Sequence, residues 1–463
     1  MAVGLAGYQY GSPAVHVQLF VESAFQTFLK DQSASGGASG TALVAFCRLT
    51  QSECFLSVER ADGRGNQSCD DLDGPIVFMK PATNGCHMAK LSSLSVLAER
   101  LLRSTTQQPA HDTSSSEAST RMDEDSVAIP FLGTNDGGLI VATERELTKI
   151  DTSPNPWGTI SNLFAWLAIG LALPPVFGAT WRDVILGGSM AVLAFFITYA
   201  IDNGARAAPS MRRSIAKRLA PWECLLQAYI ASLVASLCQA YWNNTINPTK
   251  VTLGAIAVPL PGYAISVGVI ELAADNITGG FSHIVKGLLT LLLLVVGAAL
   301  GIATGNAISE PAPLDNVPPY FLSDLWQILW LPLLCVGLAV ALQNSPRDFP
   351  WSVLCQGFTY AVSYGGAAWV PGRPNIGYFF GGAALSIASS VWGNIVRRSP
   401  LPLAIPSFVL SISGSIGFRG MLNISEGNTS LGGEQFWQMF VVAGVTMAGL
   451  VAGNFVVRPT NAL

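Results

Sequence analysis

The chain has 463 residues, of which half are hydrophobic and 12% are charged, and its formal net charge is −4. This composition is too apolar for an ordinary soluble protein, and no basic block indicates binding to nucleic acid. The charges are unevenly divided, because residues 1–154 hold 11 Lys or Arg and 18 Asp or Glu. The sequence therefore predicts an acidic, water-exposed segment followed by a membrane body.

The first part of the chain combines helix and strand patterns. Apolar residues at helical spacing predict amphipathic helices over 13–30 and 88–103. Short apolar runs between turn residues predict strands over 42–49, 54–59 and 76–79. Together these elements predict a small α+β domain.

This predicted domain covers residues 1–103, and a linker covers 104–154. The linker is rich in Ser, Thr and acidic residues, a composition typical of disorder. The first residues lack the basic and apolar regions of a secretory signal, so we expect the domain on the cytosolic side. No phosphate-binding loop, nucleophile motif or metal-ligand spacing occurs, so the sequence predicts no enzyme, no metal site and no cofactor.

Ten apolar stretches follow Pro154, each long enough to cross a bilayer as a helix. Small residues at helical spacing, such as Gly297, Gly301 and Gly305, indicate close helix packing. We expect five helices within 155–305 and five within 306–463. The predicted helices lie near 158–178, 183–202, 222–241, 250–271, 284–305, 323–343, 350–369, 376–396, 400–418 and 437–457.

Positive charge is concentrated on one side of this predicted topology. Ten Lys or Arg side chains lie on the side of both termini and four on the other. The first set is Arg206, Arg212, Arg213, Lys217, Arg218, Lys286, Arg347, Arg397, Arg398 and Arg458, and the second is Arg182, Lys250, Arg373 and Arg419. The positive-inside rule therefore predicts two cytosolic termini in a multi-pass protein of the plasma membrane or an internal membrane.

The fourth and ninth predicted helices contain interruptions. Pro259, Pro261 and Gly262 interrupt the fourth, and the segment 405–417, with Pro406 and Gly414, interrupts the ninth. Backbone groups freed in this way persist in lipid only where protein or a cavity satisfies them. The alternative interpretation is that both interruptions are ordinary proline kinks with no role in a binding site.

The matching positions of the two interruptions favour a shared site. Five helices per half would turn the second half upside down, which predicts an inverted repeat with a substrate site between the interrupted helices. The residues predicted to bind the substrate are Pro261, Gly262, Ser266, Asn276, Pro406, Ser413, Gly414 and Ser415.

Three carboxylates are candidates for proton coupling. Glu271 and Asp275 are four residues apart and would share one helix face, and Asp202 ends the second predicted helix. A carboxylate inside a membrane is by default a candidate relay, whereas one at the boundary can simply be hydrated. His283, beside Lys286, is interpreted as interfacial.

The order of these motifs resembles the threonine/serine exporter family, including its fungal pheromone-regulated members. The first half is similar through Pro261-Gly262, Glu271-Leu272, Asn276 and Gly279-Gly280. The second half is similar through Ile405-Pro406 and the run from Gly414 to Gly420, although Ser413-Gly414 replaces the Pro-Gly that the family often carries. The resemblance implies proton-coupled export of small hydroxy-amino acids by a ten-helix body with a cytosolic domain.

The leading hypothesis is a secondary transporter that exports a small polar amino acid such as threonine or serine. The unwound backbone at the two interruptions would bind the solute's carboxylate and ammonium groups, and Glu271 would carry the coupled proton. The expected partners are this solute, protons and the lipid bilayer, and association of several copies is left open. The alternative hypothesis is a membrane-embedded receptor or scaffold whose cytosolic domain binds a partner.

Overall fold

The computed structural model describes two compact units, Met1–Pro154 with Asn461–Leu463, and Asn155–Thr460. The residues it describes are 42–49, 54–61, 90, 93, 97, 145, 146, 149, 150, 153–206, 210–242, 245–273, 277–309, 324–370, 375–396, 398–411 and 414–457.

The first unit contains an antiparallel pair of strands. Strands β1 (Ala42–Leu49) and β2 (Cys54–Ala61) pair so that Leu49 lies opposite Cys54. They lie at two of the three predicted strands, while the third, 76–79, and the helix over 13–30 fall outside the described residues. Lys90, Ser93 and Leu97 are helical. The complete α+β domain and the proposed domain boundaries remain predictions.

The second unit is helical throughout its described parts. Its α-helices are α1 (Thr159–Val176), α2 (Trp181–Arg206), α3 (Ser210–Leu219), α4 (Glu223–Tyr241), α5 (Pro248–Ala255), α6 (Gly262–Ala273), α7 (Ile277–Ile308), α8 (Asp324–Ala341), α9 (Phe349–Trp369), α10 (Asn375–Val396), α11 (Leu401–Ser411), α12 (Gly414–Ser425) and α13 (Thr429–Val456). A short 3₁₀ turn over Ala220–Trp222 joins α3 to α4.

Seven segments of this unit are long and apolar enough to cross a membrane. They are Thr159–Val176, Trp181–Gly204, Ser214–Tyr241, Ile277–Ile308, Asn375–Val396, Leu401–Ser425 and Thr429–Val456. The other three predicted spans differ. The fourth is divided between α5 and α6, the apolar part of α8 is shorter (Leu329–Ala341), and α9 falls outside this set. The count of ten spans therefore stays a prediction.

Glycines allow the long helices to approach closely. A Cβ atom at Gly301 would overlap the Tyr229 carbonyl of α4, and one at Gly305 would lie 2.5 Å from the Ser236 Cβ. The contact between α10 and α13 is similar, because a Cβ at Gly453 would lie 2.6 Å from the Ala383 oxygen. The packing role predicted for the glycines of the fifth apolar stretch is thus confirmed.

The largest buried cluster brings both halves of the helical unit together. It includes Leu253 of α5, Leu291 and Leu294 of α7, Phe418 of α12 and Met439 of α13, each completely buried. Helix α7 also packs against α12, and α6 against α13. The ends of the interrupted helices consequently lie in the interior of the bundle.

Candidate functional site

The first interruption follows from two prolines. Helix α5 ends at Ala255 and α6 begins at Gly262, with turns between them. Neither Pro259 nor Pro261 has an amide hydrogen, and each disfavours helical backbone in the residue before it. The Leu260 amide still donates to the Ile256 carbonyl at 3.1 Å, so the connection is a compact turn.

The second predicted interruption, 405–417, is described in part, because residues 412 and 413 lie outside the described residues. Pro406 is buried inside α11, which continues to Ser411, and α12 begins at Gly414. A proline at this position removes the donor for the Pro402 carbonyl four residues earlier. The Asn344 side-chain amide replaces it, donating to the Pro402 oxygen at 3.2 Å. Pro406 therefore does not break the helix, which corrects the sequence interpretation.

The first residues of α6 and α12 are in contact. Gly262 and Gly414 are both buried, and a Cβ atom built on Gly414 would lie 3.1 Å from both the Cα and the N of Gly262. The N-termini of α6 and α12 thus touch backbone to backbone. Two segments 152 positions apart in the chain form one junction.

A cavity of about 380 Å³ opens beside this junction, and we call it the central cavity. Gly262 and Tyr263 of α6 and Gly414 and Ser415 of α12 line one part of its wall. Aliphatic side chains of α1 and α8, such as Ile169 and Leu334, line another. The polar atoms come mainly from tyrosine hydroxyls and serines: Tyr263, Tyr360, Tyr364, Tyr378, Ser363 and Ser415.

Arg419 is the cation among the described residues that line the central cavity. Its guanidinium carbon lies 4.6 Å from the centroid of the Phe177 ring, a cation–π geometry. Its Nε atom is buried and has no hydrogen-bond partner. The described lining contains neither Asp nor Glu.

A second cavity of about 470 Å³ also borders Arg419 and Phe177, and we call it the polar cavity. These two residues line both cavities. The other described residues that line the polar cavity are Gln239, Asn247, Pro248, Thr249, Lys250, Leu253, Ile302, Asn306, Asn423 and Glu426.

A buried aspartate fixes the helix ends beside the polar cavity. Asp183 is 1% exposed and accepts hydrogen bonds from the Thr180 amide at 2.8 Å and the Asn247 amide at 2.8 Å. Thr180 and Asp183 therefore form a capping box at the start of α2. Lys250 adds a hydrogen bond from its Nζ to the Gly178 carbonyl at 2.7 Å. These contacts tie the start of α5 to the turn between α1 and α2.

Glu271 lies on α6 away from both cavities. Its side chain is completely buried, and the His283 Nε2 atom of α7 lies 3.8 Å from its Oε1. Glu271 follows Gly262 by nine residues, about 13 Å along a helix. Contact between this carboxylate and a solute in the central cavity would require rearrangement of α6.

The predicted site residues therefore separate into groups. Gly262, Gly414 and Ser415 line the central cavity, and Pro261 is buried in the turn before Gly262. Asp202 is exposed near the end of α2 and lines neither cavity. Asp275, Asn276, Ser413 and the side chain of Ser266 lie outside the described residues.

The sequence did not predict that Arg419 lines the central cavity. An arginine only five residues after Gly414 in an apolar segment is nevertheless a sign of an intramembrane site. His283, predicted to be interfacial, lies with its Nε2 atom 3.8 Å from the Glu271 carboxylate, and its position relative to the membrane surface stays a prediction. Nothing in the sequence pattern marks Phe177 or the tyrosines as neighbours of Arg419.

The helical unit and its buried cavity define a multi-pass membrane protein. Residues 139–305 match the model of a threonine/serine exporter family, and residues 327–456 match a second threonine/serine exporter model. The two matches cover well over half of the chain. The chain belongs to the threonine/serine exporter family.

Curated relatives are fungal proteins. The chain is 23% identical over 311 residues to a pheromone-regulated membrane protein 10 of Yarrowia lipolytica, covering 63% of this chain and 24% of that protein. It is 25% identical over 257 residues to an uncharacterized protein of Schizosaccharomyces pombe, covering 52% and 28% respectively. The chain thus spans only about a quarter of the length of these relatives. No solved structure matches it.

Proposed function

We propose that this protein is a secondary transporter that exports a small polar amino acid of the threonine or serine type in exchange for protons. The observation that carries the proposal is the contact between Gly262 and Gly414, the first residues of α6 and α12, beside one cavity. Freed backbone groups at such junctions bind the charged ends of small solutes in transporters built from repeats. Membership of the threonine/serine exporter family supports the same solute class.

A repeated pattern of glycine contacts supports this architecture. Gly268 of α6 contacts Gly280 of α7, where a Cβ at Gly280 would lie 2.6 Å from the Gly268 oxygen. Gly420 of α12 contacts Gly432 of α13 in the same way, again with 2.6 Å for a Cβ at the later glycine. Both pairs are related by 152 positions, as are Gly262 and Gly414. A constant displacement over corresponding contacts is expected of two copies of one helical motif.

The beginning of each proposed repeat gives independent support. Thr180-Trp-Arg-Asp183 precedes and begins α2, and Ser345-Pro-Arg-Asp348 precedes α9. Both aspartates are 1% exposed. The preceding helices end alike, because Gly178 and Gln343 both have positive φ angles, 66° and 54°. These pairs are 165 positions apart, whereas the glycine pairs are 152 apart. The first half is longer between the two sets of positions, and helix α3, which lies there, accounts for most of the difference.

We infer that the two repeats, 155–305 and 306–463, have opposite orientations in the membrane, because each has an odd number of predicted spans. The charge distribution of the sequence supports cytosolic termini. The polar cavity would then lie toward the outer side and Glu271 toward the cytosol. The first unit, with its proposed α+β domain over 1–103 and linker over 104–154, would be cytosolic.

We infer that the Glu271–His283 pair carries the coupled proton. A charged carboxylate in a membrane helix costs roughly 3 kcal/mol on insertion scales. Glu271 would therefore be protonated while it is buried and would release its proton when the transport cycle exposes it to water. The imidazole 3.8 Å away offers a second proton acceptor. Rotation of α6 would move both Glu271 and the wall of the central cavity.

The test is efflux of labelled threonine and serine from proteoliposomes that contain the full chain, with and without an imposed pH gradient. We expect the gradient to accelerate efflux in the unaltered protein. Glu271→Gln should abolish this acceleration while solute exchange without a gradient continues. Absence of any threonine or serine flux would contradict the proposed solute, and full acceleration in Glu271→Gln would contradict the proposed relay.

Asp202→Asn is the matched control, because Asp202 is exposed and lines neither cavity. This variant should respond to the pH gradient like the unaltered protein. Loss of the response in Asp202→Asn, with an intact response in Glu271→Gln, would transfer the coupling role to Asp202.

A further inference from the structure

Arg419 is a half-buried cation that lines both cavities. It lies on α12 five residues after Gly414, about 7 Å along the helix from the junction. No described residue forms an ion pair with it, and its Nε lacks a hydrogen-bond partner. The contact with Phe177 covers one face of the guanidinium but satisfies none of its N–H groups. The buried Nε donor therefore lacks a partner, and an anionic group in the cavity would supply one.

The edge of a guanidinium matches a carboxylate. Its N–H groups form a planar fork that binds two carboxylate oxygens at once, and stacking on an aromatic ring leaves that edge free. The Phe177 ring lies against the Arg419 guanidinium at 4.6 Å and would hold the fork in position. Preorganisation of this kind raises affinity because the bound geometry already exists.

The rest of the described wall carries no second charge. Tyr263, Tyr360 and Tyr378 offer hydroxyl groups, and the remaining lining is mostly aliphatic. No described lining residue is acidic, so an ammonium group would find only carbonyl oxygens, hydroxyls and aromatic faces. The carboxylate is therefore the group of the solute that the cavity recognises most strongly.

We propose that Arg419 is the carboxylate-binding residue of the central cavity, and that the solute class is small hydroxylated carboxylates, whether or not they carry an amino group. This proposal rests on the proposed transport function. It implies that serine and glycerate, which differ only in an amino or hydroxyl group at the α carbon, both bind. Serinol, in which a hydroxymethyl group replaces the serine carboxylate, should not.

The experiment measures binding of L-serine, L-glycerate and serinol to the purified full-length protein by calorimetry, with thermal stabilisation as a second readout. We expect serine and glycerate to bind and serinol to bind at least about 10-fold more weakly. Arg419→Gln should lower the affinity for both carboxylates by about 10-fold or more, and Arg419→Lys should have a smaller effect because it keeps the charge but loses the fork. Arg182→Gln, at an exposed arginine that lines neither cavity, is the control and should leave binding unchanged.

The outcomes distinguish the two proposals. Equal binding of serine and serinol, or unchanged carboxylate affinity in Arg419→Gln, would overturn the role of Arg419 while leaving transport of a small polar solute intact. Failure of all three compounds to bind the unaltered protein would contradict the proposed function itself. The serinol comparison uses the unaltered protein, so it tests the inference even if Arg419→Gln does not fold.

Discussion

The junction between the interrupted helices can be tested by adding a single methyl group. Gly414→Ala would place a Cβ atom 3.1 Å from both the Cα and the N of Gly262. Favourable contacts between carbon atoms begin at about 3.5 Å, so α6 and α12 would have to separate by about 0.4 Å or more. The atoms that oppose the methyl group belong to the backbone, so no side-chain rotation can relieve the overlap. The expected cost is that of overpacking, about 1–3 kcal/mol.

The expected effect of Gly414→Ala comes from steric overlap alone, without backbone strain. Gly414 does not adopt a positive φ angle, so alanine is compatible with its backbone conformation. If the compact junction is required in the solute-bound state, the cost of about 1–3 kcal/mol corresponds to a loss of affinity of about 5- to 150-fold. Calorimetric titration of L-serine into the purified variant measures this loss directly.

Gly444→Ala is the matched control in the same bundle. Gly444 lies inside α13, and a Cβ atom there would have no neighbour within 4 Å. Alanine is the better helix former by about 1 kcal/mol, so this variant should keep its affinity and its stability. If Gly414→Ala and Gly444→Ala bind serine equally well and unfold at the same temperature, the junction is not a constrained wall of the solute site.

Two further substitutions test the contacts that support the site. Asp183→Asn should lower the free energy of unfolding by about 1–3 kcal/mol, because the new amide group would face either the Thr180 donors or the Asn247 amide. Thermal unfolding in detergent measures it, and an unchanged midpoint would show that this carboxylate is dispensable. Asn344→Ala should cost about 1–3 kcal/mol, because the buried Pro402 carbonyl would lose its donor. Increased protease cleavage in α11 would accompany the loss, and cleavage at the unaltered rate would contradict the explanation.

The sequence predicted the helical class and the interruption between α5 and α6, because length, hydropathy and prolines are local properties. It could not predict that the helix continues through Pro406. Whether Pro406 ends a helix depends on Asn344, which lies 58 positions before the carbonyl that it satisfies. A contact at that distance leaves no periodic signal in the chain.

The same limit applies to the contacts of Arg419 and His283. The partner of each side chain lies on another helix, so helical periodicity within one segment cannot reveal the contact. Phe177 lies at the end of α1, and its ring position beside Arg419 depends on the packing of α1 against the second half. The predicted outer position of Arg419 and interfacial position of His283 stay predictions.

The two proposed repeats differ at the position of the ionisable Glu271–His283 pair. At a displacement of 152 positions, the Glu271–His283 pair of the first half corresponds to Asn423 and Gln435, whose side chains share a hydrogen bond of 2.9 Å. The same contact between neighbouring helices is thus ionisable in one half and neutral in the other. Both pairs join neighbouring helices, so the packing is alike in the two halves. Only the pair in the first half can bind or release a proton.

The opposite asymmetry occurs at the cavity. Arg419 corresponds to Val267, which is 3% exposed, so the first half has an apolar residue where the second has a cation. One half would therefore contribute the charge that holds the solute and the other the group that holds the proton. Since Gly262 and Gly414 join the two halves at their backbones, movement of either half changes the wall that both share. This division of roles gives a structural reason why solute release and proton transfer would be coupled rather than independent.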